Sequence, residues 1–546
     1  MEGFFVKGRK MNLSDKKKHY KAEIEKIASS VYNGEQKQLA CYILDNANAD
    51  NIDSIYTFIT QRVKLGFTFD AAPEVNHNCI SLVRHNPKLT FGNIGGEHKL
   101  IIGENYDALK NLLVTYTKDG KGLIDVIYID PPYNTEAAKG EGNNYKDDVE
   151  AKKFIYRDKF TRNGWLNMMR ERLVMARKLL SDTGVIFVSI DDTEQAYLKV
   201  LMDEIFGESN FITNFIWRKK YGGGKGSSFF VDTHEYILCY GKNIYNLQGF
   251  SLDRTDKQKE IFKETDEFVK ERGKYYIRPL KSGLALRKTL IYDIVCPDGS
   301  SIKTQWICSE NTYKQLLAEG RIVFKKLANG KYNVYKKFYE KDKNGEVLPE
   351  SILYDIAYNQ NGKEEIKAIF DIKEGRDIPF NNPKPSKLIK YLIGFTKTSD
   401  NSIILDFFAG SGTTGQAVME LNAEDGGNRK CILVTNNENN IATDITYERL
   451  YRLVNGKGTK GEKFPWTYKP EQPYLTNNRW EVFELEQTEL KIDDFDKAKG
   501  LLAIAEKEFK LLNPNYDMKG LDIYNQLASL NPYKATDTDK KNDKCN

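Results

Sequence analysis

Histidine and cysteine, the usual ligands of tightly held transition metals, are thin in this chain of 546 residues, with 5 and 7 copies. Only one histidine, His234, lies beyond residue 98. The cysteines stand at 41, 79, 239, 296, 308, 431 and 545 with no Cys-x-x-Cys pair. That scatter argues against a metal site and for free thiols in a reducing cytoplasm. No apolar run approaches the roughly 18 residues needed to span a bilayer. The opening Met1-Glu2-Gly3-Phe4-Phe5-Val6-Lys7 lacks the apolar core and small-residue cleavage site of a secretion signal. Internal repeats are absent too. Charge of one sign is not in strong excess: 82 basic against 77 acidic residues leave a net +5, which permits a polyanionic partner without demanding one.

What is present describes a globular protein of two to four domains, with 40% hydrophobic and 29% charged residues. Residues 1–90 read as a helical module, with alternating charges around apolar positions at 16–27 and 38–44. From residue 99 the pattern changes. Short apolar runs at 99–102, 124–129, 184–190, 214–217 and 235–240 alternate with helical periodicity at 106–113, 165–180 and 193–206. Strand and helix in alternation predict a mostly parallel α/β sheet over 91–240. Residues 136–148 read as a loop long enough to be a lid. Between 241 and 380 the runs shorten, and turn signals at Pro297-Asp298-Gly299-Ser300, Ala328-Asn329-Gly330-Lys331 and Lys343-Asn344-Gly345-Glu346 predict hairpins in a mainly β insertion. There Lys325, Lys336 and Lys337 interleave with Tyr335, a pattern suited to phosphates and bases or to an ordinary solvated surface. The α/β pattern returns over 381–455. Residues 456–546 read as a helical module with a disordered tail from 536.

Two stretches carry chemistry. Asp130-Pro131-Pro132-Tyr133-Asn134-Thr135 follows the apolar run 124–129, so an acid, a bare carbonyl and an aromatic ring sit at the carboxyl end of a buried strand. In open α/β sheets ligands bind at that edge. The second is Asp406-Phe407-Phe408-Ala409-Gly410-Ser411-Gly412, continuing to Gly415, between a strand and a helix. Its glycine spacing suits a backbone cradle for an anionic group, a pyrophosphate or equally the carboxylate of a methionine moiety. No Gly-Lys-Ser/Thr follows, which disfavours a nucleotide triphosphate. Glu438, beyond the next strand, can accept hydrogen bonds from a ribose. An adenosine-type cofactor is implied, without saying which.

Together the two motifs break the tie. Asp-Pro-Pro-Tyr followed much later by Phe-x-Gly-x-Gly resembles the amino-group methyltransferases that use S-adenosylmethionine. The motif order resembles the beta class of N6-adenine DNA methyltransferases. More closely, 127–135, 184–194, 234–238 and the Asn382-Pro383-Lys384-Pro385-Ser386 segment resemble the modification (Mod) subunit of type III restriction-modification systems. The resemblance implies a Rossmann-like doubly wound α/β fold with an inserted target-recognition domain over 241–380, a catalytic half over 91–240 and a cofactor half over 381–455. It implies transfer of a methyl group to N6 of an adenine flipped out of double-stranded DNA. Asp130 and the Pro131 carbonyl would hold the amine, with Pro132 stiffening the loop and Tyr133 stacking on the base. Asp406, Phe408, Ala409, Gly410, Ser411, Gly412, Glu438, Lys384, Pro385 and the Gly103-Glu104-Asn105 motif would lie on the cofactor side. DNA would meet Lys325, Lys336, Lys337 and Tyr335. No metal is implied. A homodimer in the cytoplasm, partnered by a restriction (Res) subunit, is implied as well. Competing readings are a stand-alone adenine methyltransferase, an RNA or protein-amide methyltransferase, a nicotinamide-dependent oxidoreductase, and a DNA-binding scaffold without catalysis.

Overall fold

The computed structural model describes residues 12–26, 34–60, 76–134, 162–489, 495–516 and 527–529, apart from positions 94, 223–229, 374, 377, 381 and 399–400. The loop expected at 136–148 and the tail expected from 536 lie outside these residues. Two compact units divide the chain, Met1–Asp70 and Ala71–Asn546.

The first unit packs three helices, Leu13–Lys26, Gly34–Asp45 and Ile52–Thr60, around Tyr20, Ile24, Ala40, Leu44, Ile52 and Ile59. Tyr20 stacks on Tyr56 and donates its hydroxyl to Asp53 at 2.7 Å, tying the first helix to the third.

The second unit is built on a sheet of twelve strands among the described residues. Its centre runs, in spatial order, Leu180–Ile190, Ile124–Ile129, Ile403–Asp406, Lys430–Thr435, Gly96–Ile102 and Asn478–Glu489, all parallel. Beside Leu180–Ile190 the sheet continues antiparallel through His234–Gly241 and Phe211–Arg218. Helices Asn105–Thr115, Arg162–Leu179, Gln195–Phe206, Ser386–Gly394 and Thr413–Asp425 accompany this sheet. The central strands are rich in Ile, Val and Leu because helices cover both faces, so alternation is lost. No helix among the described residues is long and apolar enough to cross a membrane.

Several stretches differ from the sequence reading. Residues 76–85, inside the stretch expected to be helical, form a strand antiparallel to Asn478–Glu489. That second strand, inside the expected C-terminal helical module, pairs in parallel with Gly96–Ile102. Helix Phe495–Leu512 is present, and Tyr116 donates to the Leu512 carbonyl at 2.9 Å. Strand Asn478–Glu489 reads Asn-Arg-Trp-Glu-Val-Phe-Glu-Leu-Glu-Gln-Thr-Glu, and its charge hides a sheet position that only the pairing reveals. The 241–380 insertion also departs from mainly β. It holds helices Glu310–Ala318 and Asn359–Phe370 besides its strands, and Ile352–Leu353 joins the large sheet in parallel with Phe211–Arg218. The hairpins at 297–300 and 328–331 are present, whereas 342–345 is a 3-10 turn leading to a strand that pairs with Leu252–Asp253.

One buried group in the sheet reports on its stability. His98 is fully buried, its Nδ1 accepts from the Cys431 backbone N–H at 3.1 Å, and Nε2 lies 2.8 Å from Asn478 Oδ1. An accepting Nδ1 requires the neutral tautomer with the proton on Nε2. Burial pushes its pKa down to about 4, against the smaller opposing pull of Asn478. The unfolded chain, titrating near 6.5, therefore binds the proton first. Stability is full above about pH 6.5 and is lost as pH falls towards 4, by on the order of 3 kcal/mol at most. Urea midpoints measured between pH 7 and 4.5 should fall more steeply for the wild type than for His98→Gln.

Candidate active site

Strands Ile124–Ile129 and Ile403–Asp406 lie side by side, with Ile404 opposite Val126 and Leu405 opposite Ile127. Their carboxyl ends therefore bring the Asp-Pro-Pro-Tyr motif and the glycine loop to one edge of the sheet, across a long interval of chain. The two proline rings fix the turn after Ile129, and Trp165 Nε1 donates to the Pro132 carbonyl at 2.7 Å. Among the described residues nothing bonds the Pro131 carbonyl. Asn134 leaves the motif with φ +59° and donates to Glu194 at 2.8 Å.

A charged cluster surrounds Asp130. Its Oδ1 accepts from the Tyr133 hydroxyl at 2.8 Å and from Lys384 Nζ at 3.0 Å. Lys384 also donates to the Tyr133 oxygen at 2.7 Å and pairs with Glu235 Oε2 at 3.2 Å. The same Glu235 oxygen is 3.2 Å from the Tyr133 hydroxyl, and Glu235 Oε1 lies 3.5 Å from Lys219 Nζ. Lys384 and Glu235 are each about 8% exposed at the side chain, while Asp130 keeps 27%. Burial raises the Asp130 carboxyl, Lys384 lowers it and Glu235 raises it again, with a net upward shift. Burial pulls Lys384 down, but Asp130 and Glu235 outweigh it and hold the ammonium above its ordinary value. Tyr133 is raised by burial and then by the two carboxylates, so its phenol stays protonated.

The glycine loop is braced from beneath. Asp406 is buried, and its two oxygens accept from the Phe408 backbone N–H at 3.0 Å and the Thr414 hydroxyl at 2.5 Å. Burial lifts this carboxyl to about 7 against those two hydrogen bonds. Gly412 has φ +77° and caps helix Thr413–Asp425 without a side-chain bond to it. A Cβ on Gly415 would lie 2.8 Å from Trp480 and 2.9 Å from Leu450, so the third glycine serves helix packing. Ser411 is buried and bonds Arg449, which is itself fully buried and also holds Thr413, Gln416 and Glu365. Glu365 accepts from both Ser386 N–H and hydroxyl, which links the segment after Lys384 to the loop. Thr446, from the helix after Glu438, donates to the Gly410 carbonyl. Glu438 opens the turn after strand Lys430–Thr435 and is half-buried.

Several residues expected on the cofactor side do other work. Asn105 is buried, donates to the Phe407 carbonyl at 2.8 Å and accepts from Arg172 Nε at 2.5 Å. Glu104 pairs with Arg172 at 2.6 Å. Asn105 therefore fastens helix Asn105–Thr115 directly to the loop, and Arg172 of helix Arg162–Leu179 braces both Glu104 and Asn105. Lys384 turns to Asp130, because a buried ammonium needs acidic partners, and Pro385 is the residue on which helix Ser386–Gly394 begins. Glu235, Arg172 and Arg449 are site-supporting residues that the sequence did not single out; Glu235 stood next to the noted His234.

In the insertion, Lys336 and Lys337 are successive strand residues and face opposite ways. Lys337 is buried and salt-bridged to Asp266 at 2.6 Å, which corrects its assignment to a DNA surface. Lys336 instead shares a face with Tyr276, Arg278 and Phe338, through the pairs Tyr276↔Phe338 and Arg278↔Lys336. The two rings stack at 5.4 Å, with Arg278 5.4 Å from the Tyr276 ring and Lys336 5.0 Å from Phe338. Lys325 is exposed and lies 6.0 Å from the half-buried Tyr335 on the other face.

A DNA methylase family model matches residues 124–449, and a model of an uncharacterised conserved protein family matches 17–121. The type III restriction-modification enzyme StyLTI Mod subunit of Salmonella typhimurium is 34% identical over 71% of this chain and 59% of its own. The EcoPI Mod subunit of Escherichia phage P1 is 30% identical over 66% of this chain and 61% of its own. The type II methyltransferase M.KpnI of Klebsiella pneumoniae is 33% identical over 65% of this chain and 84% of its own. The chain thus spans about three-fifths of the length of those Mod subunits.

Removing Arg172 would strand a half-buried carboxylate, Glu104, and a buried amide oxygen, that of Asn105. Arg172→Met should cost about 3 kcal/mol of stability in urea unfolding, and Arg172→Lys should recover little of it, since an ammonium cannot reproduce the guanidinium fork.

Proposed function

The chain belongs to the DNA methylase family, and from that premise we propose that it transfers a methyl group from S-adenosylmethionine to N6 of a flipped-out adenine in double-stranded DNA. The observation that carries this reading is the adjacency of Asp130-Pro131-Pro132-Tyr133 and the Asp406–Gly412 loop at one sheet edge. A helix beginning on bare backbone at Gly412 fits the carboxylate of a methionine moiety, and the Glu438 carboxylate fits a ribose diol. When bound, S-adenosylmethionine supplies the electrophilic methyl group.

The residues of the chain do the rest by position. An adenine amine is a poor nucleophile because its lone pair is delocalised into the ring. Asp130 and the Pro131 carbonyl accept its two N–H groups and turn the lone pair out of the ring plane. The Asp130 carboxylate also stabilises the positive charge that grows on nitrogen, an electrostatic contribution made in a partly desolvated site. Tyr133, with its hydroxyl anchored to Lys384, presents a ring of fixed orientation on which the base stacks. Taking the adenine out of the duplex costs a few kcal/mol. The face made by the half-buried Tyr276, Lys336 and Phe338 with the exposed Arg278 has the mixed cationic and aromatic character suited to phosphate and base contact.

The similarity to Mod subunits supports a modification subunit of a type III system, to which we add a homodimer in the cytoplasm working with a Res subunit. The 84% coverage of M.KpnI favours a second reading, a stand-alone methyltransferase. Gel filtration of the full chain, alone and mixed with a Res subunit, separates them.

With labelled S-adenosylmethionine and mixed-sequence DNA, mass spectrometry should find N6-methyladenine; its absence despite cofactor binding would sink this reading. Asp130→Ala should lower the rate at least about a thousandfold while changing cofactor affinity only a few-fold. Arg278→Ala with Lys336→Ala should weaken DNA binding and reduce the log–log salt slope by up to about 2. Lys337→Ala should lower stability instead and leave that slope intact.

A further inference from the structure

Glu235 is a carboxylate buried beside the reacting groups, and recognition of an amine does not require it. It sits at the start of strand His234–Gly241, antiparallel to Leu180–Ile190, and so faces Asp130 from across the sheet edge. The groups that face it are Lys384, Lys219 and the Tyr133 hydroxyl, with Asp130, Asp191 and Tyr128 within its field.

The Tyr133 hydroxyl lies between two carboxylates, 2.8 Å from Asp130 Oδ1 and 3.2 Å from Glu235 Oε2. A phenol has one proton, so it can donate to only one of them at a time. Its lone pairs are meanwhile oriented by Lys384, which donates to the phenol oxygen at 2.7 Å and lies within 3.2 Å of both carboxylates. Such an arrangement is wasteful for holding a base, since one acceptor would fix the ring. It is what a proton shuttle needs: a hydroxyl with an acceptor on either side and a fixed cation holding all three oxygens together.

The proposed reaction generates a proton at this place. Methylation of a neutral amine leaves N6 positively charged with one proton too many, and the carboxylate holding that N–H is Asp130. We propose that Tyr133 and Glu235 form the exit path for that proton, an inference that rests on the amine-methylation reading given above. The N6–H bond breaks as an O–H bond forms on Asp130. Asp130 then gives this proton to the Tyr133 oxygen while the original phenol proton passes to Glu235 Oε2. The phenol is restored, Asp130 is again a carboxylate, Lys384 stays an ammonium throughout, and Glu235 ends as the carboxylic acid. On its far side Glu235 meets Lys219, which bonds Asp232 at 2.6 Å, and the Asp232 carboxylate is 47% exposed. The path ends on Glu235, on the side of the Tyr133 hydroxyl away from Asp130. Glu235 is a positioning residue in this scheme, since it acts on the substrate only through Tyr133.

The alternative is that Glu235 only anchors Lys384. Single-turnover methylation of duplex DNA by the full-length chain, in H2O and D2O, separates the two. Glu235→Gln and Tyr133→Phe should each slow the methylation step about 10- to 100-fold, with KM for S-adenosylmethionine and DNA within about threefold and a larger solvent isotope effect than wild type. Because the two act in series, the double variant should be no slower than the slower single one. A wild-type rate in Glu235→Gln, or single losses that multiply in the double variant, would overturn the relay while the parent reading stands. Should Glu235→Gln lose cofactor binding or folded far-ultraviolet ellipticity, Tyr133→Phe decides alone, because it keeps the Lys384–Glu235 ion pair: an undiminished rate there rejects the relay. A wild-type chain that binds S-adenosylmethionine and methylates no adenine rejects the parent reading and the relay together.

Discussion

One ammonium group, Lys384 Nζ, lies within 3.2 Å of the Asp130 carboxylate, the Tyr133 oxygen and the Glu235 carboxylate, and the geometry of the site depends on it. Taking a lysine out of water carries a large desolvation cost, offset only where acidic partners are in place. Here two carboxylates and a phenol supply them. The cation in turn offsets the repulsion between two acids held close together. Remove it, and Asp130 and Glu235 would repel each other and Tyr133 would lose its anchor.

Lys384 belongs to a short segment that performs a second task two residues later. Ser386 holds Glu365, and Glu365 pairs with Arg449, which bonds the backbone and side chains of the glycine loop. On the other side, Arg172 joins Glu104 and Asn105, and Asn105 holds the Phe407 carbonyl. Two buried arginines thus fix the loop from opposite sides, each satisfied by several acceptors, which is the condition under which a buried guanidinium is tolerated. The glycine loop needs such support because its own residues offer little packing.

The insertion follows different rules. It has a small core of its own around Leu280, Tyr292, Ile294, Trp306, Tyr313 and Val334. Its return limb is part of the large unit: Ile352–Leu353 extends the sheet, and helix Asn359–Phe370 carries Glu365 to Arg449. The element that is proposed to meet DNA and the element that braces the glycine loop therefore share one stretch of chain.

The sequence by itself determined the local features. The apolar run at 124–129 matched its strand to the residue, because a strand buried on both faces is a continuous apolar string with sharp ends. The two motifs were legible for a similar reason: prolines and glycines mark backbone geometry that few other residues permit. Tertiary structure decided what depends on pairing across long intervals of chain. That 76–85 and 478–489 belong to the sheet is a matter of partners: the short apolar run Cys79 to Val83 does not by itself distinguish strand from helix, and Asn478–Glu489 intersperses its apolar residues with acids. That Lys336 points out and Lys337 in is set by strand register, invisible in a list of lysines. That Lys384 serves Asp130, and that Glu235 stands behind Tyr133, follows from the tertiary fold: composition says an acid is present, and only the fold says which base or cation it faces.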